Sequence, residues 1–284
     1  MVQKGKNISI SVIGPTAPFK GGISHFNSVF CNALKKEISD VDVISWKRRY
    51  PWFLKYFKRY LAEQIDKKSK VMIKTEAVFM LDFLNPFTWW KAVKRIHAKK
   101  SDLVIFHWVS PSMALVFSFV SFFSKRMNKN KVLFICHNLK PHEGSIIDRF
   151  LTKITFSNVD SFLVHSKEDY NNLKKSNPTK NIICGFHPTY SIFSFGEKLV
   201  KKDYTNKILF FGFVRKYKGL KYLLEAMQIV LKERDIKLVV VGEFYEDKKD
   251  YLDLIEKLGI GDNVEIVDKY IPNENVSGYY SESD

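Results

Sequence analysis

The feature that most constrains this chain is a recurring alternation of short, wholly apolar runs with longer segments of helical spacing. Runs at Ile8–Gly14, Val41–Ser45, Ala77–Leu81, Leu103–His107, Val132–His137, Ser161–His165 and Asn181–Cys184 read as strands. Helical patterns separate them at Gly22–Lys36, Thr88–Lys99, Met113–Arg126, Ser145–Phe156 and Lys167–Lys175. The rhythm lapses between Phe186 and Asp203. It resumes with strands at Lys207–Phe211, Lys237–Gly242 and Val264–Val267, and with helices at Gly219–Glu233 and Lys248–Leu258. Apolar runs without polar alternation belong to strands covered on both faces, so the chain reads as α/β with parallel sheets. The lapse divides it into two Rossmann-like units, residues 1–190 and 191–284, with a cleft expected between them. Three strands are few for a doubly wound sheet, and Ser281–Asp284 stops where another strand is due, so the second unit is expected to be truncated.

One run is long enough to span a bilayer, Leu103 to Phe123. His107, Ser110, Pro111 and Ser112 interrupt it, and a proline in mid-span removes a backbone hydrogen bond. A buried strand, a turn and a buried helix fit better. Met1–Lys6 is polar and no secretory signal opens the chain. The three cysteines (Cys31, Cys136 and Cys184) are too few and scattered for a disulfide framework or a tetrahedral zinc site. Both observations point to a cytoplasmic protein.

Charge separates the two units. Residues 1–195 hold 31 Lys and Arg against 13 Asp and Glu, whereas residues 196–284 hold 15 against 17. The excess is densest from Trp46 to Lys74, where Lys55, Lys58, Arg59 and seven other bases interleave with seven aromatic rings. That spacing describes a helix lying on an anionic membrane surface, with rings in the interface and cations at the headgroups. It equally describes a solvated helix whose rings pack inward. Nucleic acid is disfavoured as a partner, because no helix-turn-helix, zinc-finger or RNA-binding signature accompanies the charge.

Three segments carry candidate chemistry. The turn after the first strand, Gly14 to Ser24, places Gly21 and Gly22 at the start of a helix, where backbone can approach a ligand and free N–H groups face it. It is neither a GxGxxG nor a Walker loop. Phe210 to Leu220 runs from a strand through a basic loop into a helix, so a diphosphate there would meet Arg215 as a forked donor and Lys218 as a point charge. His107 and His137 close neighbouring strands and are candidate catalytic groups, with His142 and Glu143 following nearby. Imidazoles so placed suit an acceptor hydroxyl, a phosphate or a metal, although the spacing matches no metal motif.

Taken together, Phe211-Gly212, Arg215, Lys218-Gly219-Leu220, Leu224-Glu225-Ala226, Lys237 to Glu243 and Tyr279 to Asp284 resemble the donor half of family 4 glycosyltransferases. Gly14 with Gly21-Gly22-Ile23, and His137-Asn138 with Pro141-His142-Glu143, resemble the acceptor half of the same family. The resemblance implies a GT-B fold and transfer of a hexose from a nucleotide-sugar, without metal or other cofactor, to a glycan or lipid-linked acceptor in cell-surface polysaccharide synthesis. It also implies that Arg215 and Lys218 hold the donor diphosphate, that Gly21 and Gly22 border it, and that His142 and Glu143 lie on the acceptor side. Phe213 stands where many members have arginine. A non-catalytic remnant that binds nucleotide or membrane, and a sugar-nucleotide epimerase, are the alternatives.

Overall fold

The computed structural model describes residues 8–49, 65–70, 73–139, 146–188, 190 and 206–284. They fall into two units. The first holds 8–49, 65–66, 73–139 and 146–188; the second holds 67–70, 190 and 206–284.

The first unit is built on seven parallel strands in the order β3-β2-β1-β4-β5-β6-β7. These are β1 (Ser9–Ile13), β2 (Asp40–Arg48), β3 (Val78–Asp82), β4 (Leu103–Trp108), β5 (Lys131–Cys136), β6 (Ser161–Val164) and β7 (Asn181–Cys184). All five residues of β1 are buried, which is why its apolar run shows no alternation. β1 pairs with β2 on one side and with β4 on the other, so strand order reverses there. Ligand crevices of open α/β sheets form at the carboxyl ends of strands flanking such a reversal. Gly14 and His107 stand at those two ends.

The helices of this unit are α1 (Gly22–Glu37), α2 (Pro86–Ala98), α3 (Ala114–Asn128), α4 (Ile146–Ser157) and α5 (Lys167–Ser176). Local chemistry sets their starts. Asn85 accepts from the Phe87 N–H at 3.1 Å and Pro86 supplies a preset φ, so α2 begins two residues before the expected Thr88. Beneath them the core is aromatic: Trp108 packs on Phe156 at 5.0 Å between ring centroids, and Phe106 on Phe134 at 5.0 Å. Leu103 to Phe123 is β4, a turn and the start of α3, as its proline suggested. No helix among the described residues is long and apolar enough to cross a membrane.

The second unit has three parallel strands in the order β10-β9-β8: β8 (Lys207–Phe211), β9 (Lys237–Val241) and β10 (Val264–Val267). Helices α6 (Leu220–Val230), α7 (Lys248–Leu258) and α8 (Val276–Ser281) accompany them. Leu224, Met227, Leu238, Val240 and Ile255 form its core.

The structure corrects the reading of Trp46 to Lys74 as one helix. β2 continues through Arg48, paired with β3 by Trp46 against Leu81. Trp46 is 1% exposed and packs on Phe117, so its ring belongs to the core and not to a membrane interface. Arg48 forms an ion pair with Asp82 at 2.8 Å. Farther along, residues 67–70 belong to the second unit: Ser69 Oγ accepts from the Asn273 N–H at 2.9 Å, and Glu274 accepts from the Lys70 N–H at 3.0 Å. Lys55, Lys58 and Arg59 lie outside the described residues.

Candidate functional site

In the second unit, candidate chemistry gathers where β8 and β9 end. Gly212 follows β8 with φ of +111°, and Gly242 follows β9 with φ of +147°. A Cβ on Gly242 would stand 2.0 Å from the Gly212 carbonyl oxygen, so these strand ends meet only because glycine occupies the position. The chain then passes buried Val214, whose N–H donates to the Glu243 carbonyl at 2.9 Å, and reaches Arg215. A short turn, Lys216–Lys218, leads through Gly219 into α6. The Glu246 carboxylate accepts from the Lys216 N–H and from the Tyr251 hydroxyl, which pins this turn to the segment after β9.

Two cations converge on the loop. The Arg215 guanidinium lies over the Tyr245 ring, 4.3 Å from its centroid, and Phe213 meets the same ring edge-on at 4.9 Å. Lys218 is exposed along much of its length, but its Nζ is tucked against Gly212, 2.9 Å from where a Cβ would stand there. Loss of water around the ammonium, followed by repulsion from Arg215, lowers its pKa. Neither cation has a carboxylate partner among the described residues. An oxyanion binding beside both would relieve their repulsion.

In the first unit, the turn after β1 is fastened by side chains that the sequence placed at matching positions. Thr16 N–H and Oγ1 both donate to Ser45 Oγ, Ala17 N–H donates to Ser28 Oγ at 2.9 Å, and Asn27 Nδ2 donates to the Pro15 carbonyl at 3.0 Å. Gly21, with φ of +101°, stands at the N-cap of α1, and Gly22 opens the helix with free space where its side chain would be.

Beside this turn runs a row of four imidazoles, one from the carboxyl end of each of β4, β5, β6 and β7. His107 Nδ1 and His137 Nε2 share a hydrogen bond of 3.0 Å, and their rings stack at 5.3 Å. His165 follows at 5.7 Å from His137, and His187 at 5.3 Å from His165. Phe26 of α1 touches all four, at 4.8 to 5.7 Å between centroids. The row grades from wholly buried His107 to exposed His187. Burial first, then the neighbouring imidazoles, holds His107 well below its usual pKa. Burial, His165, His187 and Arg49 push His137 down to about 3. His165 is lowered by burial and His187, against an opposing contribution from the Phe186 backbone. Neutral imidazoles at pH 7 both donate and accept, which suits hydroxyl groups. His107 Nε2 is buried without a hydrogen-bond partner.

Of the residues that sequence singled out, the structure joins Arg215 to Lys218, and His107 to His137. His107 has no exposed surface, so His137 is the member of that pair that can touch a ligand. His142 and Glu143 lie outside the described residues. His165, His187, Phe26 and Tyr245 were not anticipated. A histidine at or just after four consecutive strands was the available signal for the first two. No group of three or more His, Cys, Asp or Glu among the described residues is arranged to hold a metal ion.

These features define a two-unit α/β protein of GT-B type, and comparison with solved structures bears on the same point. An apo lipopolysaccharide outer core galactosyltransferase superposes with a TM-score of 0.60 at 14% identity, covering 97% of this chain and 72% of that one. The catalytic domain of starch synthase IV from Arabidopsis thaliana, bound to ADP and acarbose, gives 0.60 at 11% identity, with 99% and 77% covered. The UDP-GlcNAc 2-epimerase from Methanocaldococcus jannaschii gives 0.55 at 13%, with 97% and 76% covered. At such identities the likeness concerns the fold, which transferases and epimerases share. Residues 192–284 match the family of glycosyl transferases group 1. The sequence matches no curated protein.

Proposed function

We propose that this protein is a glycosyltransferase that moves a hexose from a nucleotide-sugar to a glycan or lipid-linked acceptor, in the synthesis of a cell-surface polysaccharide. The observation that carries the reading is the group 1 match over 192–284, because it encloses the loop on which Arg215 and Lys218 converge. It also favours transfer over epimerisation, which the fold leaves equal. Arg215 supplies two parallel donors to the donor diphosphate and Lys218 a point charge. Both sites are charged before the reaction starts, so they stabilise the leaving nucleoside diphosphate without reorganising. Gly21 and Gly22 border the diphosphate. His137 hydrogen-bonds a sugar hydroxyl, and His107 positions it through the 3.0 Å bond between their rings. His142 and Glu143 act on the acceptor side. The reaction uses no cofactor or metal. The protein works at the cytoplasmic face of an anionic membrane, where a lipid-linked acceptor is presented.

Calorimetric titration with UDP, GDP and ADP tests the donor site. Arg215→Ala and Lys218→Ala should each weaken nucleoside-diphosphate binding by about tenfold or more, the scale of a lost charge-assisted bond, at unchanged melting temperature. Unchanged affinity in both variants would overturn the assignment. Binding without sugar transfer to any acceptor would favour the non-catalytic remnant.

A further inference from the structure

α4 carries an apolar ridge that the rest of the described chain leaves uncovered. Ile146 is 85% exposed, Ile147 69%, Phe150 63% and Ile154 42%. Ile146, Phe150 and Ile154 recur every four residues and therefore form one ridge slanting gently across the helix axis. The opposite face is anchored: Thr155 and Phe156 are buried, and the Thr155 hydroxyl shares a 2.7 Å hydrogen bond with Ser118 of α3. Exposed Arg149 and Lys153 flank the ridge. On their side, a groove of about 670 Å³ opens between α4 and α5. Its apolar lining comes from Leu139, Phe156 and Leu173; Arg149, Lys153 and Lys175 supply its positive charge and Asp148 an acid.

We propose that α4 docks this protein on an anionic phospholipid bilayer. The ridge enters the interfacial region, and the flanking bases, with the groove they line, take lipid phosphates. Charge and shape both select this occupant. Arg149, Lys153 and Lys175 beside the ridge outnumber Asp148, so the surface there attracts an anionic plane. A folded partner would need roughly 800 Å² and about 20 residues on each side, many more than the four side chains of this ridge. A bilayer interface imposes no such demand for complementary shape, and an amphipathic helix with bases beside its apolar face lies in it naturally. The inference rests on the membrane part of the proposed function and is independent of its chemistry.

Flotation of the full chain with vesicles tests it, using phosphatidylcholine alone or with about one third phosphatidylglycerol. Binding should require the anionic lipid and fall steeply with salt. Ile146→Ser, Phe150→Ser and Ile154→Ser combined should reduce it at least tenfold at unchanged melting temperature. Phe150→Trp should strengthen it, with a blue-shifted emission on anionic vesicles only. Arg149→Gln with Lys153→Gln should weaken it and flatten the salt dependence. Equal binding to neutral vesicles, no binding, or full binding by the triple serine variant would each overturn the proposal. So would loss of self-association in that variant without vesicle binding, since a second copy would then cover the ridge. Nucleoside-diphosphate affinity should be unchanged in the ridge variants, and Arg215→Ala should float like the parent. Failure of one reading is thereby distinguished from failure of the other.

Discussion

Within the second unit, Gly242 bears the tightest steric constraint. Its φ of +147° is reserved for glycine, and a Cβ there would overlap the Gly212 carbonyl at 2.0 Å. Gly242→Ala should destabilise the second unit by about 3 kcal/mol, combining backbone strain with overpacking. Gly261→Ala, with nothing within 4 Å of the added atom, is the control and should unfold like the parent. Equal denaturation midpoints for the two variants would refute the constraint. Single residues also show where the candidate site was legible. Arg215 and Lys218 declared themselves because they lie three residues apart in one short loop between a strand and a helix. The imidazole row did so only in part, at His107 and His137. His107 and His187 become the two ends of one row through the strand order β4-β5-β6-β7, which no local pattern records, and His165 reads from sequence as no more than a strand end before α5. Tyr245 was hidden for the same reason: it reaches Arg215 from the segment after β9.

Secondary-structure elements were far more legible, since each depends on its own few residues. The ten strands among the described residues all occur where apolar runs foretold them, and differences are confined to ends. β2 runs three residues past its expected end because Trp46 has a core pocket and Arg48 a carboxylate on β3. Trp46 to Arg48 open a stretch of helical spacing but are claimed by pairing with β3 instead, the usual way in which local preference is overruled. Where local chemistry does rule, it is testable. Ser166 is the N-cap of α5, and its Oγ accepts from the Asp169 N–H at 3.0 Å while donating to the Asp169 carboxylate at 2.9 Å. Ser166→Ala should therefore cost about 1 kcal/mol of stability, and Ser166→Asn much less. Denaturant midpoints at constant slope measure the difference. Equal losses in the two variants would mean that the cap contributes nothing.

Across the whole molecule, the titratable groups near neutrality are unequally shared, and this yields a pH dependence for each unit. All seven histidines lie between residues 25 and 187, and all five tryptophans between 46 and 108. In the folded first unit His25, His107, His137 and His165 are held below the ordinary imidazole value of 6.5, chiefly by burial. The unfolded chain regains that value, so below about pH 6.5 it binds protons that the folded unit refuses. Unfolding then takes up protons, and stability must fall as pH falls, through a window that reaches about 3 for His137. From pH 7.5 to 5.5 the loss is about 1.4 kcal/mol for His137, with His107, His165 and His25 adding in the same direction. For a unit of this size the His137 share alone corresponds to a melting temperature lower by roughly 3 to 6 °C. Residues 206–284 contain no histidine and should show no such shift in this range. Tryptophan fluorescence reports the first unit selectively, whereas calorimetry records both. The fluorescence transition should move down on acidification while a second calorimetric transition stays in place. A fluorescence midpoint that is constant between pH 7.5 and 5.5 would show that the imidazole row is not held neutral, and would remove the basis for assigning His137 to a hydroxyl group.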